Sequence, residues 1–137
     1  MDYEILDHTA DICVRVYGKS FEELLKNAAR AMMDIITDRE KVNPSQEIEF
    51  KAQGETQEEL LVHWLDEILF IHKVRRMIFR DFEIQTINKT EIHGKAFGES
   101  VDMERHEITM DIKAVTHHNL KIEHLDDKLK VDIVFDI

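Results

Sequence analysis

One cysteine, Cys13, one proline, Pro44, and four glycines are all that these 137 residues carry of those three types. A single thiol excludes an intrachain disulfide framework and fits a reducing, intracellular compartment. With so little proline and glycine, no internal repeat and no low-complexity run, nothing marks a linker. One domain over residues 1–137 is the expectation. No apolar run approaches the ~18 residues that span a bilayer, and the acidic amino terminus has no signal-peptide pattern. A cytoplasmic protein with no membrane partner is therefore expected. There is no Gly-x-Gly-x-x-Gly, no phosphate-binding Gly-Lys-Ser/Thr loop and no nucleophile elbow. Cations are scarce as well: 18 Lys plus Arg stand against 29 Asp plus Glu, leaving a formal charge of −11. Such a domain repels a phosphate backbone, which disfavours direct non-specific binding of nucleic acid. An acidic surface suits a hard cation, or a basic protein surface.

What is present reads as a filled core, with 43% hydrophobic residues. Ser20-x-x-Glu23 and Thr56-x-x-Glu59 are two capping boxes. After the first, Phe21, Leu24, Leu25, Ala28, Met32, Ile35 and Ile36 recur at helical spacing. After the second come Leu60, Leu61, Trp64, Leu65, Ile68 and Leu69, with Lys73, Arg75 and Arg76 where a helix end favours cations. Elsewhere the period is two. Ile12-Val14-Val16, Ile48-Phe50-Ala52, Phe82-Ile84-Thr86 and Ile92-Gly94-Ala96 read as half-buried strands. So do Ile108-Met110-Ile112-Ala114, Leu120-Ile122 and Leu129-Val131-Ile133-Phe135. Short polar turns between them favour antiparallel pairing. The fold class is α+β: a single domain of mostly antiparallel β-sheets packed with two amphipathic α-helices.

Chemistry has few places to sit. In His8-Thr9-Ala10-Asp11-Ile12, an aspartate opens an apolar strand, where aspartate is a poor strand former. Spacing alone favours a turn from Asp7 to Asp11; the alternative is a carboxylate aimed at a ligand. At the other end Asp136 lies beside Ile137 and its carboxylate, with no polar tail. So many anionic oxygens within two residues ask for a cation, and oxygen ligands select Ca²⁺ or Mg²⁺. The competing expectation is a frayed terminus. Of the eight histidines, His117, His118 and His124 invite a zinc reading, but neighbours in a strand point to opposite faces and no Cys pair accompanies them. Cys13 reads as a small buried thiol and Lys113 as a solvated strand residue.

Four segments in order, His8 to Ile12, Leu61 to Phe70 (LVHWLDEILF), Asp111 to His118 (DIKAVTHH) and Val134 to Ile137, together resemble the archease family over essentially the whole chain. The resemblance implies a small, non-catalytic activator of the GTP-dependent RNA ligase of tRNA splicing, promoting ligase guanylylation and multiple turnover. RNA is then met only through the ligase. It further implies metal ligands at Asp11, Asp136 and Ile137, the last through a main-chain oxygen. Calcium is the expected ion, with magnesium or manganese as alternatives. His8, Lys113 and His118 are candidates for a supporting role, and no residue is assigned to catalysis. Where the family more often has an aromatic residue this sequence has His117, which is given no role. Two other classes compete: a metal-dependent hydrolase using Asp11, Asp136 and His118, and a chaperone-like interaction module with a structural metal.

Overall fold

The computed structural model describes residues 2–6 and 11–137. Among these, two α-helices and a 3₁₀ turn at Arg39–Lys41 accompany eight strands. The Ser20 side chain accepts the Glu23 amide at 3.1 Å and starts α1 (Phe21–Ile36). Thr56 accepts the Glu59 amide at 3.1 Å and starts α2 (Gln57–Arg75). Both expected capping residues therefore satisfy helix amides that would otherwise have no partner.

Every strand pairing is antiparallel. One sheet runs in the order β1 (Tyr3–Leu6), β2 (Asp11–Gly18), β8 (Leu129–Asp136), β6 (Ala114–Val115), with β7 (Glu123–His124) also on β8. The other has the order β3 (Gln46–Gln53), β5 (Glu91–Ser100), β4 (Met77–Ile87). The helices lie between the sheets: α1 packs on β2 and on β4, α2 on β3 and on β6. This position explains why α1 is buried beyond a single stripe, including Ala28, Ala29 and Ala31 as well as Leu24, Leu25, Met32 and Met33. Small alanines let strands approach on both sides. Trp64 joins the layers. Its indole nitrogen donates to the Leu25 carbonyl at 3.2 Å, and its ring meets Phe50 edge-on at 6.1 Å between centroids.

The structure differs from the sequence pattern in three places. Strand β1 lies outside the alternating runs and is tied to α1 by the Tyr3 hydroxyl, which donates to Asp34 at 2.7 Å. The alternating run Ile108 to Ala114 is not one strand, since only Ala114–Val115 pairs in a ladder. Its backbone serves the end of α1 instead. Thr109 donates its amide to the Ile36 carbonyl at 2.8 Å and its hydroxyl to that of Ile35 at 3.0 Å, satisfying helix carbonyls that lack intrahelical donors. Leu120 to Ile122 likewise lies outside the ladder, which holds Glu123–His124.

A buried acid holds this irregular segment. Glu99 accepts the Asn43 amide at 2.6 Å, a bond from Arg105, and the His106 Nε2–H at 3.0 Å. His106 Nδ1 accepts the Asp102 amide at 2.9 Å, which assigns the ring's proton to Nε2. Burial pushes the Glu99 carboxyl up, but these donors outweigh it and hold the group below its ordinary value of 4.5. A depressed carboxyl stabilises the fold fully above the unfolded value and loses that contribution as pH falls toward the folded one. Acid unfolding of Glu99→Gln should therefore show a shallower stability loss below pH 4.5 than the parent, and identical acid limbs would contradict this account. A second test concerns β5, where a Cβ on Gly98 would fall on the Ile78 carbonyl. Gly98→Ala should cost about 3 kcal/mol and lower the melting temperature by roughly 10 °C.

Candidate functional site

Strands β2 and β8 pair in register from Asp11 opposite Asp136 to Gly18 opposite Leu129. Val14 and Val16, with Val131, Ile133 and Phe135, are buried toward the helices. By the two-residue period, Asp11, Cys13, Arg15 and Tyr17 share the other face with Asp136, Val134, Asp132 and Lys130. That face carries two cross-strand positions of acid. At one, Arg15 grips Asp132 with two bonds, Nε to Oδ1 at 2.8 Å and Nη2 to Oδ2 at 3.1 Å. The bond to Arg15 holds the Asp132 carboxyl below its usual range. At the other, Asp11 stands opposite Asp136, so two carboxylates extend from Cβ atoms about 5 Å apart.

Asp11 is the first residue of β2; the rest of the turn expected from Asp7 to Asp11, His8 included, lies outside the described residues. Asp136 is exposed and its carboxylate forms no ion pair among the described residues. Its carbonyl accepts the Lys113 amide at 2.7 Å, and Ala114 of β6 lies opposite it on the side away from Asp11. Ile137 follows directly, half-buried against the core. Among the described residues, no three His, Cys, Asp or Glu side chains converge as a metal cluster. A cation between Asp11 and Asp136 would have to complete its shell with main-chain oxygen and water. That donor set fits Ca²⁺, which takes carboxylate, carbonyl and water oxygens in flexible geometry; it does not fit a four-ligand zinc site.

The remaining candidates are placed differently. Lys113 precedes β6 and is exposed; Ile112 and Val115 are both buried, so strict alternation breaks there. Its peptide is nevertheless a junction, because its carbonyl accepts Lys73 Nζ of α2 at 3.3 Å. His118 lies in a turn beyond β6, its amide on the Thr116 hydroxyl at 3.4 Å, and its ring bonds to no described residue. His124 is exposed in β7. Cys13 is buried, and burial pushes its thiol up, followed by the charges of Asp132 and Asp11. A nucleophile would need the opposite shift.

The structure also brings together a group that spacing did not reveal. The ring of His117 meets that of His63 at 6.3 Å between centroids, so the 111–117 segment runs beside the exposed face of α2. Asp66 lies there too; burial raises its carboxyl, and the two histidines oppose the rise.

The whole of residues 3–137 matches the Archease protein family. The chain belongs to the archease family. A protein archease from Methanopyrus kandleri is 41% identical over 140 residues, spanning 100% of both chains. One from Pyrococcus abyssi is 43% identical, covering 91% of this chain and 90% of its own. The solution structure of protein 1598 from Methanobacterium thermoautotrophicum superposes with a TM-score of 0.86 at 33% identity, over 99% of each chain. The crystal structure of an archease described as a possible chaperone, from Thermotoga maritima, gives a TM-score of 0.70 at 25% identity, over 96% of this chain and 94% of that one. The α+β architecture is thus the archease fold. No helix among the described residues is long and apolar enough to cross a membrane.

The carboxylate pair makes a thermal prediction. A calcium ion held by the pair would, at a hundredfold excess over its dissociation constant, stabilise the protein by about 2.7 kcal/mol, a rise of roughly 10 °C. Asp136→Asn should melt at the same temperature with calcium or with a chelator. A calcium response that survives this substitution would place the ion elsewhere.

Proposed function

We propose that this archease is a non-catalytic activator of a GTP-dependent RNA ligase of tRNA splicing, and that it works through a divalent cation held by Asp11, Asp136 and a main-chain oxygen of Ile137. The observation that carries the reading is the register that sets Asp11 opposite Asp136 on an acidic domain without an enzyme motif. Guanylylation brings a triphosphate to the ligase's active-site histidine, and divalent ions screen phosphate charge while the bond to the leaving group breaks. An acidic rim docked beside a basic nucleotide site favours those ions where they are needed. The protein's residues then position a cation and touch no reacting atom. RNA is met through the ligase, consistent with a charge of −11.

A second reading, a protein-interaction module with a structural metal, has one observation in its favour: the Thermotoga maritima archease is described as a possible chaperone. RNA joining by the cognate ligase separates the two. In the activator reading, substoichiometric protein raises multiple turnover, and Asp11→Ala or Asp136→Ala abolishes the rise while circular dichroism shows an intact fold. Full stimulation by both variants would leave the metal structural and sink the proposal.

A further inference from the structure

The carboxyl-terminal end of α2 combines three features that core packing does not use. Phe70 and Val74, one turn apart on the same helix face, are 57% and 61% exposed, and Met103 nearby is 73% exposed. Lys73, Arg75 and Arg76 stand among them, all exposed. Beside them opens a cavity of about 370 Å³ lined by His72, Lys73, Arg76, Val101, Met103 and Ile108. Favourable interaction with the helix dipole accounts for Lys73 and Arg75. It does not account for the apolar residues, nor for the left-handed backbone that Arg76 adopts as the helix cap, at φ 53° and ψ 51°. Glycine or asparagine is usual there, because a Cβ strains that backbone. Among the described residues neither Arg75 nor Arg76 has an ion-pair partner, and Lys73 has only a long contact of 3.9 Å to the exposed Asp111.

Lys113 donates its amide to the Asp136 carbonyl at 2.7 Å and accepts Lys73 Nζ on its own carbonyl at 3.3 Å. The main chain of β8 and the cationic, apolar helix end are thus linked through the backbone of one residue.

We propose that the end of α2 is the anchor by which this protein grips its ligase: Phe70 and Val74 enter an apolar pocket on the partner, and Lys73, Arg75 and Arg76 pair with carboxylates on that pocket's rim. This rests on the partner reading above and names the surface through which it acts. Charge complementarity selects the occupant. Three cations clustered on a chain of net charge −11 seek acid, and exposed Phe, Val and Met side chains seek a protein pocket over a phosphate backbone.

The test measures affinity for the cognate ligase by biolayer interferometry, alongside melting temperature. Arg76→Gly removes the guanidinium while placing at this position the residue the backbone favours. It should melt no lower than the parent yet bind the ligase about tenfold more weakly. Phe70→Ser combined with Val74→Ser alters two exposed positions, so it should keep the melting temperature and lose at least tenfold in affinity. Both should retain the calcium-induced rise in stability. Parent-like affinity in both variants overturns the anchor while leaving the partner reading intact. Failure of the unmutated protein to bind the ligase overturns the partner reading and the anchor with it. Self-association by light scattering that disappears in the Ser/Ser variant makes a second copy the occupant and contradicts the proposal.

Discussion

Neither carboxylate of the Asp11–Asp136 pair has the other as neighbour until β8 pairs with β2, and that pairing closes almost the whole chain. The Arg15–Asp132 bond on the same ladder links residues 117 apart in sequence. Closing a loop of that length costs on the order of 4 kcal/mol in chain entropy. Burial offsets it: Val131, Ile133 and Phe135 pack against the helices from one strand, Val14 and Val16 from the other. A one-residue slip would turn Phe135 outward and place Asp136 opposite Ile12. The apolar core therefore sets the register, and the register sets the two acids opposite each other.

The same ladder shows what the protein does with cross-strand charge. At Arg15 and Asp132 an internal guanidinium answers the carboxylate with two bonds. At Asp11 and Asp136 both strands contribute acid, and β6 approaches from the side with a main-chain amide from Lys113. The Lys113 backbone links β8 to α2, its amide on the Asp136 carbonyl and its carbonyl on Lys73 Nζ.

Much of the fold was legible because local and global signals agree. The capping boxes at Ser20 and Thr56 mark both helix starts, and the two-residue period marks β2, β3, β5 and β8. The run from Ile108 to Ala114 misled because Ile108, Met110 and Ile112 do pack against the core, while their backbone completes α1 in place of a ladder. Strand β1 gives no such signal, because Tyr3–Leu6 is too short to show a period and its tie to Asp34 is a tertiary contact. Asp11 and Asp136 stood out as acids where strands prefer apolar or β-branched residues. Their opposition depends on a register between distant segments, which one sequence does not display. The exposure of Phe70 and Val74 was hidden for a related reason: α2 carries apolar residues on more than one face, and only the placement of the sheets decides which face stays open.

Crystals grown with Mn²⁺ in place of Ca²⁺ would test the central claim most directly, through an anomalous difference map. The account predicts one strong peak between β2 and β8, within coordination distance of side-chain oxygens of both Asp11 and Asp136 and of a main-chain oxygen at Ile137, with water completing the shell. A map with no peak at the pair, or with its strongest peak at another acidic cluster, would contradict it.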